Sequence, residues 1–233
     1  MDSPLAERRS ELVTKNTDVV PWPSAIRQHA IEPSPSKRPQ ARTVNTKEYD
    51  SVLYGPIVDY SFRNLDTLPD ALKLTPRTGL RSYEYTKKWK LKSCSLRLSH
   101  NKLTDLSGLK QLIDTLLVEP TRLFWIDLSF NSFSVVDPVL ILCINLQILN
   151  FHGNHVSELF EADKLASLPH LRSLTLHGNP MELLKGYRSY IVGIIPQLKS
   201  LDYSTITKQD RSTAAVLKSF TKHKWPVRRR YHE

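Results

Sequence analysis

The stretch LQILNFHGNHVSEL, residues 146 to 159, decides how this chain is read. It sets Leu146, Leu149, Phe151, Asn154, Val156 and Leu159 in the order L-x-x-L-x-L-x-x-N-x-L-x-x-L. The pattern returns upstream as Leu123, Ile126, Leu128, Asn131, Phe133 and Val136, and downstream as Leu171, Leu174, Leu176, Asn179, Met181 and Leu184. A fourth copy runs Leu96, Leu98, Asn101, Leu103 and Leu106, with Ser93 in its first slot. A degraded fifth runs Val58, Tyr60, Leu65 and Leu68, with Arg63 where the asparagine belongs. From Leu98 to Leu128, Phe151 and Leu176 the steps are 30, 23 and 25 residues. Self-similarity at such a period marks stacked coils, one supersecondary unit per copy.

The residue types explain the coil they build. In L-x-L the two apolar side chains share one side of a short strand and point inward, leaving the middle residue outward. The asparagine follows where the chain leaves the strand. Its amide donates and accepts, so it can satisfy backbone groups that a buried turn would leave unpaired; Asn101, Asn131, Asn154 and Asn179 are given that task. No coil can bury its apolar edge alone. The expected fold is therefore α/β: a solenoid with a short parallel sheet on the concave face and helical or 3-10 segments on the convex face. Leu106 to Leu117 and Leu159 to Leu168 have the spacing for that outer face.

With these copies the chain resembles the short intracellular leucine-rich-repeat proteins, whose repeats run to about 22 residues. After Gly178, Asn179 and Pro180 come Tyr187, Arg188, Tyr190, Ile191 and Val192, then Ile195, Pro196, Leu198, Leu201 and Asp202. That order is similar to the C-terminal cap of the family. A stack must cover its last apolar edge, and a helix bearing Tyr187, Tyr190, Ile191 and Ile194 can do so. The resemblance spans residues 57–206, with the cap at 180–206.

Charge divides the chain differently from the repeats. The formal net charge is +10. Residues 1–56 hold 8 Lys+Arg against 7 Asp+Glu, residues 57–92 hold 8 against 4, residues 93–206 hold 9 against 10, and residues 207–233 hold 8 against 2. The body is thus near neutral and the basicity sits on its flanks, which suits attachment to something acidic, whether nucleic acid, tubulin tails or a lipid surface, or else a solvated tail that serves only solubility. Residues 1–56 carry Pro4, Pro21, Pro23, Pro33, Pro35 and Pro39 and read as a tail disordered when free. Ser34-Pro35 within it is a weak phosphate-acceptor signal. A long step between Tyr60 and Leu98 implies an insertion at 75–92, rich in lysine and aromatic residues. Lys87, Lys88, Lys90 and Lys92, together with Arg228, Arg229 and Arg230 of the basic tail 207–233, are the candidate attachment residues.

Several classes of chemistry have no place to sit. No stretch of about 18 apolar residues is present, so no membrane span is expected, and no apolar run follows the charged start to make a secretory signal. Cys94 and Cys143 lie among apolar residues and read as reduced core thiols. With 7 glycines, and no phosphate loop, G-x-S-x-G or Cys-x-x-Cys motif, the chain offers no catalytic residue and no cofactor site. His152 and His177 occupy the same slot in successive coils and could share a metal, with His155 nearby. A stable site needs three or four ligands, so no metal is assigned and these are read as surface histidines.

Repeat register also assigns the concave face. Its middle column reads Asp59, Arg97, Asp127, Asn150 and Thr175; beside it run Ser95, Trp125, Ile148 and Ser173, and on the far side Ser61, Ser99, Ser129, His152 and His177. Trp125 and Ile148, with Phe130 nearby, place an apolar patch where water is expected. Tryptophan is the side chain most enriched at interface hot spots. The candidate binding residues are Trp125, Phe130, Ile148, Arg97, Asp127, His152 and His177. The function expected is that of a non-enzymatic scaffold or adaptor, monomeric within a larger assembly, binding an acidic protein partner. The resemblance to small repeat proteins of cilia implies a cytoplasmic, axonemal site of action with tubulin among the partners. A ribonucleoprotein-associated role and a regulatory subunit of a phosphatase are the alternatives. Nucleic acid itself is disfavoured, because the concave face is mixed in sign.

Overall fold

The computed structural model describes residues 55–77, 79 and 83–221. The proline-rich stretch 1–54, with Ser34-Pro35, and Arg228, Arg229 and Arg230 lie outside the described residues. One sheet of seven strands runs through the described chain in sequence order: β1 (Val58–Asp59), β2 (Ser95–Arg97), β3 (Trp125–Asp127), β4 (Ile148–Asn150), β5 (Ser173–Thr175), β6 (Ser200–Leu201) and β7 (Ser204–Thr205). β1 to β6 are parallel, and β7 turns back antiparallel on β6. Val58, Leu96, Ile126, Leu149, Leu174 and Leu201 stand directly opposite one another across this sheet, and all six are buried. Each such side chain contributes about 1.5 to 3 kcal/mol by leaving water, which fixes the register: a slip of one residue would turn every one of them outward.

The repeat asparagines carry out the task the sequence assigns them, and they do it across coils. The Asn154 carboxamide oxygen accepts from the backbone N–H of Asn131 and of Phe133, both at 3.2 Å, while its nitrogen donates to the carbonyls of Leu128 and Phe151 at 3.1 and 2.9 Å. Asn101 binds Arg63 and Leu65 in the same way, Asn131 binds Leu103, and Asn179 binds Val156. Every asparagine therefore reaches back to the coil before it. Among the described residues the first coil has no coil before it for such an asparagine to serve, which fits Arg63 in that slot. At the other end Asp202 takes the role, its carboxylate accepting from the N–H groups of Leu176 and His177 at 2.7 and 2.9 Å.

The convex side is built as the spacing predicts, with one difference of geometry. α1 (Leu68–Ala71) and α2 (Leu109–Leu116) are helical, and α2 buries Leu109, Leu112, Ile113 and Leu116 on one face. Leu159–Ser167 is a 3-10 run, as are Pro120–Arg122, Pro138–Leu142 and Pro180–Leu183. A coil of about 23 to 25 residues leaves little chain for its outer side, and the 3-10 form climbs faster per residue than the α-helix.

Both ends are covered. The insertion at 75–92 does more than loop outward. Arg77 N–H donates to the Asp59 carbonyl at 2.7 Å, extending the sheet edge, and the Tyr83 hydroxyl lies 3.0 and 2.6 Å from the Ile57 and Arg77 carbonyls. Leu91, also buried, exchanges backbone bonds with Leu116 and Val118 beside α2. The insertion thus covers the edge of β1. At the far end α3 (Tyr187–Ile194) buries Tyr187, Tyr190 and Ile191 as expected, but Val192 in place of Ile194, which is half-buried against the same core. The Tyr187 hydroxyl donates to Asp202 at 2.8 Å, and burial together with that carboxylate holds its pKa far above the usual phenol range.

The reading of residues from 207 onward as a basic tail needs correction. Lys208–Thr221 forms a further helix, α4, packed on α3. Thr207 and Asp210 bond reciprocally at its start, the Thr207 hydroxyl accepting from Asp210 N–H at 3.1 Å and the Asp210 carboxylate accepting from Thr207 N–H at 2.8 Å. Arg188 clamps Asp210 through two bonds of 2.9 and 3.1 Å, Arg211 donates to the Val192 carbonyl at 3.0 Å, and Ala214 is buried. Asp210 and Arg211 are thus tied into the cap, Lys208 and Lys218 stay exposed, and the folded unit extends to 221.

Candidate protein-interaction face

The outward strand positions line up as register requires. Ser95, Trp125, Ile148, Ser173 and Ser200 form one column, and Arg97, Asp127, Asn150 and Thr175 the next. Trp125 and Ile148 are neighbours on adjacent strands and half-buried. The Arg97 guanidinium lies 5.2 Å from the Trp125 ring centroid, a cation–π arrangement. The same guanidinium stands between two carboxylates, 3.5 Å from Asp59 and 3.6 Å from Asp127. Each of those aspartates also accepts from the N–H and hydroxyl of the serine two residues on, Ser61 and Ser129. The D-x-S turn of coils one and three thus holds its carboxylate in place and Arg97 spans the coil between. Asp127 is consequently buried, so it orders the face more than it offers a contact.

Phe130, His152 and His177 belong to a structure the sequence reading did not anticipate. They are rungs of a ladder of rings: Phe62 and His100 stack at 4.2 Å, His100 meets Phe130 at 4.5 Å, Phe130 meets His152 edge-on at 5.0 Å, His152 stacks on His177 at 4.5 Å and 9°, and His177 leans on Tyr203 at 5.5 Å. The backbone explains the alternation of residue types. The position just before the repeat asparagine, or Arg63 in the first coil, has a positive φ in every coil: 55° at Phe62, 56° at His100, 53° at Phe130, 67° at Gly153 and 69° at Gly178. Where that position is glycine, the rung comes from the histidine before it. A β-carbon on Gly153 would stand 2.7 Å from the Phe130 ring, so the ring of one coil requires the glycine of the next. Phe62, His100 and Tyr203 were missed because the repeat pattern does not call for a ring at their positions; a ring or a His-Gly pair ahead of the asparagine slot was the available signal for Phe62 and His100, and Tyr203, after Asp202, carried none.

His155 is exposed as expected, but His152 and His177 are not simple surface residues. His152 is buried, its Nδ1 2.8 Å from the Thr175 hydroxyl, while His177 Nδ1 lies 3.3 Å from Asp202. Burial first, and then neighbouring His177, hold His152 below its ordinary pKa. Stacked rings direct their nitrogens side by side and not toward a common point, so the pair is poorly arranged for one ion. Among the described residues no group of three His, Cys, Asp or Glu side chains could hold a metal. Cys94 and Cys143 are buried free thiols, and burial pushes Cys143 up to about 11, which keeps it protonated and inert. Of the candidate basic residues, Lys90 donates to the Asp114 carbonyl at 2.6 Å and Lys92 pairs with Glu84 at 3.1 Å, while Lys87 and Lys88 are exposed. No helix among the described residues is long and apolar enough to cross a membrane.

A sheet whose asparagines tie each coil to the last is the hallmark of one family, and the family model for leucine-rich repeats matches residues 93–225. The chain belongs to the leucine-rich-repeat family. Among its leucine-rich-repeat relatives is leucine-rich repeat-containing protein 51: that of Rattus norvegicus is 48% identical over 163 residues, covering 70% of this chain and 85% of the rat protein. The Homo sapiens protein of the same name is 46% identical over 176 residues, covering 75% and 92%. Leucine-rich repeat-containing protein 23 of Xenopus tropicalis is 41% identical over 73 residues, 31% of this chain and 21% of that protein. A solved chain of the Drosophila melanogaster SNF/U2A′ complex aligns over 62% of this chain and 89% of its own, at 21% identity and a TM-score of 0.48. Membership of this repeat family supports a protein-binding scaffold.

Proposed function

We propose that this chain is a non-enzymatic adaptor that recognises a protein partner on its concave face and works in the cytoplasm as one component of a ciliary or flagellar axoneme. The observation that carries the recognition reading is the Trp125–Ile148 pair, in register on adjacent strands and only half-buried. An aromatic anchor held by a rigid sheet loses little entropy on binding. The ring ladder adds apolar surface along one margin, with Phe62, Phe130 and Tyr203 exposed. Two aspartates face one arginine in the middle column, which suits a polypeptide better than a phosphate backbone. The axonemal placement, with tubulin or another acidic axonemal protein as partner, rests on the resemblance to small repeat proteins of cilia and on the basic flanks. The test is affinity capture from ciliated and non-ciliated cells with the full chain and with Trp125→Ala. Enrichment of tubulin or axonemal proteins by the wild type, lost in the variant, is expected. Equal recovery by both chains refutes the concave-face reading, and recovery of the same proteins from both cell types refutes the axonemal one.

A further inference from the structure

We propose that the tip of the hairpin formed by residues 84–92 docks an acidic polypeptide segment, a second attachment point that rests on reading the chain as a protein-binding adaptor. The hairpin arms are joined by Thr86 N–H to the Lys90 carbonyl at 2.9 Å, Lys92 N–H to the Glu84 carbonyl at 3.3 Å and a Tyr85–Leu91 bridge. Its loop is the three residues Lys87, Lys88 and Trp89, closed by Trp89 N–H to the Thr86 carbonyl at 2.9 Å. A three-residue hairpin loop of this kind ends in a left-handed residue, a position made for glycine. Here Trp89 holds it, with φ of 59° and half its surface exposed. The bond that closes the turn uses only the Trp89 backbone, so the half-exposed indole, which leans on Tyr85, is kept against its backbone preference and stands free for a contact.

The tip is presented rigidly. Tyr83 is fixed to the first strand, and the Tyr83, Tyr85 and Trp89 rings follow one another at 6.2 and 5.8 Å. On the other arm Leu91 is bonded beside α2 and Lys90 reaches the Asp114 carbonyl. Charge selects the occupant. Residues 83–92 hold four lysines and one glutamate. That glutamate is paired with Lys92, while Lys87 and Lys88 are exposed with no ion pair among the described residues. Carboxylates of a partner segment can meet these two ammonium groups while its apolar atoms lie on the Trp89 indole. A lipid surface fits less well: the tip exposes two rings, Trp89 and Tyr85, that tilt against each other and leave little apolar surface to insert.

The experiment uses the full chain with a fluorescein-labelled polyglutamate peptide read by anisotropy, and phosphatidylserine vesicles read by sedimentation. Lys87→Glu with Lys88→Glu should weaken peptide binding about fivefold or more, and wild-type affinity should fall as salt is raised. Trp89→Gly should weaken it about tenfold while leaving the melting midpoint unchanged or higher, because glycine suits that backbone. Wild-type affinity in both variants overturns the proposal, as does a lowered midpoint in Trp89→Gly. Hairpin-dependent binding to vesicles without binding to the peptide overturns it in favour of a lipid. Capture lost in Trp125→Ala with peptide affinity unchanged would show that the two faces act separately, so failure of one does not carry the other with it.

Discussion

Asn154→Ala should destabilise this fold more than its removal of a few atoms suggests. The wild-type oxygen serves two buried backbone donors, Asn131 N–H and Phe133 N–H. Its nitrogen serves the Leu128 and Phe151 carbonyls, but those each keep a second donor, from Asn131 and Asn179. The loss therefore falls on the two amides. Each buried group left unsatisfied costs about 1 to 3 kcal/mol, so about 2 to 6 kcal/mol is expected, a large share of the 5 to 15 kcal/mol typical of a domain (roughly). Asn154→Asp separates donor from acceptor. It keeps an oxygen for the amides and turns the other toward the Leu128 and Phe151 carbonyls, so burial and those oxygens raise its folded pKa above the unfolded value near 3.9. The folded state then binds the proton more tightly, and stability of this variant rises as pH falls from about 7 toward about 5. Urea unfolding of wild type, alanine and aspartate forms at both pH values measures this. A loss below about 1 kcal/mol for alanine, or an aspartate form with the pH profile of the wild type, would refute the inter-coil role of the asparagines.

Tyr190→Ala or Leu198→Ala should each cost about 2 to 5 kcal/mol, since both are buried in the C-terminal cap; unchanged denaturant midpoints would remove that assignment. His152 is held below its ordinary pKa, so the unfolded chain takes the proton first: its stabilisation is complete above about pH 6.5 and is lost as pH falls through the lower folded value. His152→Asn should flatten that part of the urea-midpoint profile, and an unaltered profile would show that other groups cause it. Ending the chain after residue 206 removes the Arg188–Asp210 clamp and buried Ala214 and should lower the melting midpoint, whereas ending it after 221 should not; equal midpoints would mean that α4 adds nothing to the cap.

The repeat, its register and the inward set were legible because they are periodic and local: Leu128 must face the core once Ile126 does. The asparagines were legible as donors and acceptors, yet which coil each one serves was not. Only the stack brings Asn101 beside Leu65, and that fits Arg63 in the first coil. The outward placement of Trp125 and Ile148 followed from register alone. What they face, and why Asp127 is buried despite pointing outward, depended on Arg97 reaching both neighbouring aspartates. The ring ladder needed three dimensions, because its rungs come from three different sequence slots that left-handed turns bring into line, with Gly153 making room for Phe130. The start of α4 was written in Thr207 and Asp210, but the positive charge around them spoke for a tail; Arg188, 22 residues from Asp210, decided the matter. The insertion, too, read as a loop by composition. Its docking against β1 hangs on Tyr83 and Arg77 meeting carbonyls that only the folded first coil presents, since a bare strand edge binds whatever backbone the tertiary structure brings to it.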